Sequence, residues 1–472
     1  MSLYIPFDNS FAELPPEFHS HQMPTPVGEP RLLAYNQDLA EALGIGAAEP
    51  EELARVFVGN EIPAGADPLA QLYAGHQFGS FNPQLGDGRA ILLGEVVGRD
   101  GIRRDIQLKG AGRTPYSRGG DGRAWMGPAL REYLVSEAMH SLGIPTTRAL
   151  AAVATGETVW REGGLPGAVL TRVAKSHLRV GTFQVFASRG QVEALKTLTE
   201  YAIARHYPEA EGPMGLLRAV RDAQVELIAA WMSVGFIHGV MNTDNSSIAG
   251  ETIDYGPCAF MDVYHPSRVF SSIDRMGRYA YSNQPNIAVW NLAQLATALI
   301  QQYDAPETVV EEATEIVHAM PDLLEAAWLK KFRAKLGITT VEEGDMGLIT
   351  DLMRLMAEGQ ADFTNSFRAL VDGDPRDQFL DPEAFDQWEE RWQQRLQGEA
   401  EPEAVMRAVN PVLIPRNHRI EQMIASAVAG DMAPFERLMA ALATPFEVRA
   451  EFDDLRRPPA EDEVVKATFC GT

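Results

Sequence analysis

The chain has 472 residues, 45% hydrophobic and 22% charged, a composition that fits a folded globular protein and excludes wholesale disorder. A formal net charge of −24 repels nucleic acid and anionic membrane surfaces, so any anionic ligand needs a local basic island. Two cysteines exclude a disulfide framework and a cysteine-only zinc site, and the sequence reads without a leader or an 18-residue apolar span, so a cytoplasmic protein is expected.

Residues 1–75 begin Pro-rich (Pro15, Pro16, Pro24, Pro26) and carry a helical pattern from Leu32 to Leu43, which predicts an N-terminal extension packed on the next domain. Arg89 to Val97 is mostly apolar, Asp100-Gly101 supplies a turn, and Ile102 to Lys109 alternates; together they predict two paired strands. In the second, Arg103, Asp105, Gln107 and Lys109 share the polar face. Gly110 to Gly127 holds six glycines and three arginines, too Gly-rich for a regular element and too basic for a passive connector, so a mobile phosphate-facing loop is expected. Pro128 opens a helix in which Leu130, Leu134, Ala138 and Leu142 recur at helical spacing, with Glu132 off that stripe. Further strands are predicted at Arg148–Val153, Thr158–Arg161 and Ala168–Val173, with a turn at Thr155-Gly156.

This makes 76–190 a nucleotide-binding unit of sheet plus one long helix. From 191 to 472 the pattern is helical, at Leu216–Met232, Ala288–Gln302, Val309–Leu336 with a break at Pro321, and Leu348–Met356. Asp374 to Glu403 reads as a solvated helix surface and Ala460 to Thr472 as a tail. The expected class is α+β.

A triphosphate site needs backbone amides, fixed cations and a divalent metal. Gly86-Asp87-Gly88-Arg89, just before the first strand of the pair, offers a close backbone approach. Basic residues gather in two places, from Arg103 to Arg131 and at Arg172, Lys175 and Arg179. Lys109 on its strand and Glu132 on the following helix resemble the Lys and Glu ion pair of protein kinases. His238 and Asn245 keep the spacing of the kinase catalytic loop H-R-D-x-x-x-x-N, and Asp254-Tyr255-Gly256 stands where D-F-G would, but Val240 occupies the position of the kinase base. Asp244 is a carboxylate able to take that role, with a loop or helix cap as the alternative. Asn245 and Asp254 offer hard oxygen ligands suited to magnesium or manganese. His238 reads as a structural loop residue, and Asn242 stays unassigned.

The runs LYAGHQFGSFNPQLGDGRA, DIQLKGAGRTPYSRGGDGRA, LTRVAKSHLRVGTF, GFIHGVMNTDNSSI and TIDYGPCAFMD resemble the selenoprotein O family over nearly the whole chain. The resemblance implies a two-lobed protein-kinase-like fold that binds ATP inverted and transfers AMP, rather than the γ-phosphoryl group, to protein hydroxyls with release of pyrophosphate. Residue by residue, it implies nucleotide contacts for Gly86, Gly88, Arg89, Lys109, Asp121, Gly122, Arg172, Arg179 and Asp254, with Glu132 orienting Lys109. It makes Asp244 the base and puts Asn245 and Asp254 on the metal. It points to target proteins bearing Ser, Thr or Tyr hydroxyls, extending to proteins of redox homeostasis. Two departures stand out. Ser246 follows Asn245 where members often have Met, and Cys470-Gly471-Thr472 stands near where some eukaryotic members carry selenocysteine. For Cys470 a redox thiol and an inert tail cysteine both stay open. A kinase-like phosphotransferase and an inactive nucleotide-binding scaffold are the competing functions.

Overall fold

The computed structural model describes residues 3–161 and 163–469. Its first half is built on one antiparallel sheet. The strands in chain order are β1 (His19–His21), β2 (Arg31–Tyr35), β3 (Leu69–Gln71), β4 (Gly75–Gln77), β5 (Ser80–Asn82), β6 (Ala90–Val97), β7 (Arg103–Lys109), β8 (Ala124–Trp125), β9 (Arg148–Trp160) and β10 (Gly164–Ala174). They assemble in the order β1-β3-β6-β7-β10-β9-β2, with β8 on β10, while β4 and β5 form a separate hairpin. The first 75 residues, expected to pack as an extension, thus supply β1, β2 and β3 to this sheet. The helical pattern read over Leu32 to Leu43 divides into β2 and α1 (Gln37–Ala42), because Asn36 accepts the Leu39 amide and starts the helix there.

Strand alternation explains why both faces of the sheet are buried. Ile91, Leu93, Ile106, Leu108, Val153, Val169 and Val173 join α1 and α2 (Pro50–Phe57) in one apolar core. Leu92, Ala152 and Leu170 point the other way, into a larger core shared with α3 (Met126–Ser141) and the helical second half. The helix expected from Pro128 begins two residues earlier, and Glu132 lies buried on it. The turn predicted at Thr155-Gly156 is instead an irregularity inside β9. Gly156 is left-handed, with φ +73°, and pairing with β10 slips between Pro166 and Ala168 before continuing to Trp160.

The second half is helical, beginning with α4 (Val180–Ser188), α5 (Val192–His206), α6 (Gly212–Ser233) and α7 (Gln284–Leu299). Between α6 and α7 the short strands β11 (Phe236–Ile237) and β12 (Ala259–Phe260) pair antiparallel and close the loop that carries His238, Asp244, Asn245 and Asp254. The break expected at Pro321 separates helices Val310–His318 and Met320–Lys335. Asp374 to Glu403, expected as a solvated surface, contains helix Pro382–Arg395, which buries Trp388 and Trp392 against the core. The tail is partly docked, with Thr468 bridging to Ser271. Cys470 lies outside the described residues. The architecture is α+β, and no helix among the described residues is long and apolar enough to cross a membrane.

Candidate active site

The middle of the polar face of β7 is covered: Asp105 and Gln107 are buried, and half-buried Lys109 ends the strand beneath α3. There Lys109 Nζ donates to Glu132 Oε2 at 2.6 Å and to Asp254 Oδ1 at 3.0 Å. From β10, Arg172 donates twice to Glu132 Oε1, at 2.8 and 2.6 Å, and to Asp254 Oδ1 at 2.6 Å. Arg179, just before α4, donates to Asp254 Oδ2 at 3.0 Å and to the Asp244 carbonyl at 2.7 Å. Three cations from the sheet and its continuation thus converge on one carboxylate of the β11–β12 loop.

Burial alone would raise both carboxyl pKa values. At Asp254, Arg172, Lys109 and Arg179 outweigh it and hold the group well below the usual carboxylate range; at Glu132, Arg172 and Lys109 outweigh it and lower the pKa. Both are anions at neutral pH. Asp254 is held in the left-handed region, with φ +64°, a conformation that short polar side chains tolerate.

Asp244 has the opposite environment. It sits in the short 3-10 turn Thr243–Asn245 under the β4–β5 hairpin, where Gln77 Nε2 donates to its Oδ2 at 3.1 Å and its Oδ1 is buried without a hydrogen-bond partner. Burial raises its pKa to about 6, against the opposing pull of Arg179 and Gln77. A carboxylate that ionises near neutrality and keeps an unused oxygen is suited to accept a proton. Asn245 donates its side-chain amide to the Val240 carbonyl at 2.9 Å, which leaves its oxygen available as a hard ligand. His238 is buried, stacked on Trp231, with Nε2 against the Ile253 carbonyl at 2.8 Å, so it joins the two halves of the loop and has a structural part.

The glycines of Gly86-Asp87-Gly88 have a packing reason. A Cβ on Gly86, where φ is +82°, would lie 2.5 Å from the Tyr116 ring, and one on Gly88 would lie 2.9 Å from the Tyr116 carbonyl oxygen. Thr114 and Ser117 stitch the turn down by donating to the Asp87 and Gly88 carbonyls. Asp87 is the member of this turn that faces the site. Its Oδ1 lies 3.9 Å from Arg179 Nη2, and burial raises its pKa against the attraction of Arg179. Burial lowers the pKa of Arg89, with Asp254 and Glu132 opposing that shift and Arg172 and Arg161 adding to it.

Asp121 is not gathered in: Arg161 binds it at 2.8 and 3.0 Å, and none of its hydrogen bonds among the described residues reaches Asp254. Gly122 packs against the Gly112 backbone, which a Cβ would approach to 2.1 Å. The basic islands also separate: Arg103 and Arg104 pair with Asp8 and Asp100, Arg131 points to the Cys258 carbonyl, and Lys109, Arg172 and Arg179 share the site.

Sequence reasoning missed the roof of the site. Gly75 lies so close to Asp244 that a Cβ would sit 2.9 Å from Oδ1. The His76 amide donates to Thr243 Oγ1 at 2.7 Å, the Phe78 amide donates to Asn242 Oδ1 at 3.0 Å, and Tyr73 lies under the Arg179 guanidinium at 4.5 Å. Phe78-Gly79, both at positive φ, form the tip of the hairpin. The available signal was the run from Pro68 to Gly86, which is rich in glycine and aromatic residues and contains no Asp, Glu, Lys or Arg.

Comparison with known proteins decides what this geometry belongs to. Residues 2–443 match the family model described as protein adenylyltransferase SelO. The chain belongs to the SelO family. Its relatives include proteins named protein nucleotidyltransferase YdiU from Ruegeria sp. (strain TM1040), 77% identical over 472 residues, and from Roseobacter denitrificans, 67% identical over 472 residues, each match covering all of both chains. Another from Agrobacterium fabrum is 55% identical over 487 residues, covering 99% of each. The resemblance to the selenoprotein O family is therefore borne out, and the chain in which Lys109, Glu132, Arg172, Arg179 and Asp254 converge is a SelO-family chain.

Proposed function

We propose that this chain is a protein adenylyltransferase that moves AMP from ATP to Ser, Thr or Tyr hydroxyls of target proteins in the cytoplasm. The fold is read as kinase-like and two-lobed, with 1–75 an N-terminal extension that also contributes strands, 76–190 the nucleotide-binding lobe and 191–472 the helical lobe. The observation that carries the reading is the joint placement of Asp244, with an unused oxygen and a pKa of about 6, beside cations gathered on Asp254, in a chain that matches the SelO model over residues 2–443.

Four cations (Arg89, Lys109, Arg172, Arg179) face four carboxyl groups (Asp87, Glu132, Asp244, Asp254), so bound triphosphate adds uncompensated negative charge. Magnesium or manganese fits that deficit, and Asn245 and Asp254 present the hard oxygen donors such an ion takes. Phosphate oxygens and water would complete the coordination of such an ion. When bound, the metal supplies charge neutralisation at the phosphates.

Asp244 removes the acceptor's proton. Lys109, Arg172 and Arg179 stabilise charge on the phosphates, and Glu132 fixes Lys109 and Arg172 in place. With ATP inverted, the glycine-rich stretch from Gly110 to Arg123, with Asp121 and Gly122, encloses the terminal phosphates and leaves the α-phosphorus open. ATP labelled on the α-phosphate should mark protein and ATP labelled on the γ-phosphate should not, with pyrophosphate as co-product. Incorporation of γ-label with release of ADP would replace this reading with an ordinary kinase.

A further inference from the structure

Any protein acceptor must present its hydroxyl to Asp244, and the surface around that carboxylate differs from the rest of the molecule. The hairpin that roofs Asp244 carries two part-exposed aromatic rings, Phe78 (36% exposed) and Phe81 (41%). Beside it runs the segment after β12, where Met276 is 92% exposed. The two are packed together: the Phe78 and Tyr279 ring centroids are 5.1 Å apart, and a Cβ on Gly79 would lie 3.8 Å from the Arg278 guanidinium carbon. Arg278 also covers the Trp290 ring at 4.9 Å.

The charge of this surface runs against the whole. From Pro68 to Gly86 there is no acidic residue, and from Val263 to Tyr303 there is one, Asp274, in a chain of net charge −24. Asp274 is buried and its carboxylate is spent on the amides of Arg278 and Tyr279, at 2.9 and 2.7 Å. Among the described residues, neither Arg275, which is exposed, nor Arg278 has a carboxylate within salt-bridge distance. Apolar side chains flanked by uncompensated guanidinium groups, on an otherwise acidic molecule, steer and hold a segment of the opposite sign. Exposed Phe and Met beside Arg also match the side chains enriched where proteins meet.

Building on the adenylyltransferase reading, we propose that Phe78, Phe81, Met276, Arg275 and Arg278 form the docking surface for the acceptor protein. The surface selects hydroxyls carried on segments that combine a bulky apolar residue with nearby Asp or Glu. Basic segments are repelled by the same guanidinium groups, which at this surface oppose the acidic field of the rest of the molecule.

The test uses the full chain, ATP and magnesium, with peptide acceptors containing Ser, Thr and Tyr flanked by Leu and either Glu or Lys, read by AMP incorporation. Acidic-apolar peptides should show a KM at least tenfold below their basic counterparts, with similar kcat. Arg275→Glu should bring that ratio close to one or invert it while ATP affinity stays within twofold. Met276→Asp should raise KM for the acidic-apolar peptide without changing ATP affinity. Equal KM for the two peptide classes, or an unchanged ratio in Arg275→Glu, would overturn the docking surface. So would modification of the chain's own hydroxyls, detected by intact mass, with none of the peptides modified. Failure of the adenylyltransferase reading itself looks different: no AMP enters any peptide or the chain.

Discussion

Two aspartates ten residues apart illustrate how environment divides roles between chemically identical groups. Asp254 is surrounded by Lys109, Arg172 and Arg179 and held far below its ordinary pKa, whereas Asp244 is desolvated beneath the β4–β5 hairpin and raised to about 6. If Asp244 is the base, only its ionised form works, so kcat/KM for AMP transfer should rise with unit slope up to pH about 6 and then level. A limb near pH 4, the ordinary carboxylate value, would mean that some other group titrates. Asp244→Asn should keep ATP affinity and lose the transfer step. Asp254→Ala should abolish turnover, and it should also cost about 3 kcal/mol of stability in urea unfolding, because among the described residues buried Arg179 would keep within ion-pair distance only Asp87, 3.9 Å away. A variant as stable as wild type would show that the cations relax to solvent. Glu132 links Lys109 to Arg172, so Lys109→Ala and Glu132→Ala should be strongly non-additive in a double-mutant cycle on kcat/KM, while additive losses would mean the pair does not act as a unit.

At the scale of elements, what was legible in the sequence is what local physics controls. The β6–β7 hairpin follows from apolar runs around Asp100-Gly101, and the long helices follow from their periodicity. Lys109, Glu132, Arg172, Arg179, Asp244 and Asp254 are legible because the motif spacing and the resemblance point to them. Elements whose partners are remote were not legible. Nothing local in residues 1–75 reveals that β1 and β3 extend one edge of the sheet and β2 the other, and nothing in Gly75-His76-Gln77 reveals that it covers a loop 167 residues later. The glycines of Gly86-Asp87-Gly88 read as letting the backbone approach phosphate, and the structure adds that Tyr116 packs against both of them. That packing is measurable. Gly86→Ala adds a Cβ 2.5 Å from the ring at a φ of +82°, so it should destabilise the protein by about 1–3 kcal/mol in urea unfolding. Adding Tyr116→Ala should recover the steric part of that loss while leaving the backbone part. Full stability of the single variant would show that the turn can shift away from Tyr116.

For the molecule as a whole, stability against pH combines buried groups from distant regions, and two of them pull in opposite directions. Glu251, whose Oε2 accepts the Lys175 amide at 2.9 Å, is raised by burial from 4.5 to about 7. Between those values the folded state binds the proton more tightly than the unfolded chain, so this group lowers stability as pH rises through the window, and Asp244 adds to the same trend below pH 6. Lys335 is buried against the Phe367 ring, 4.2 Å from its centroid, and donates to Asn410 Oδ1 at 2.8 Å; burial lowers its pKa from 10.5 to about 7. From pH 7 to 10.5 the unfolded chain holds the extra proton, so stability rises with pH across that range. Together these groups place a stability minimum near neutrality. Glu251→Gln should gain stability at pH 8 relative to pH 5, and Lys335→Met should gain at pH 7 relative to pH 10, each on the order of 3 kcal/mol before packing changes. Urea unfolding at pH 5, 7, 8 and 10 reads both. A Lys335→Met variant whose stability keeps the wild-type slope between pH 7 and 10 would show that the lysine is charged in the folded protein, with the Phe367 ring and Asn410 compensating its burial.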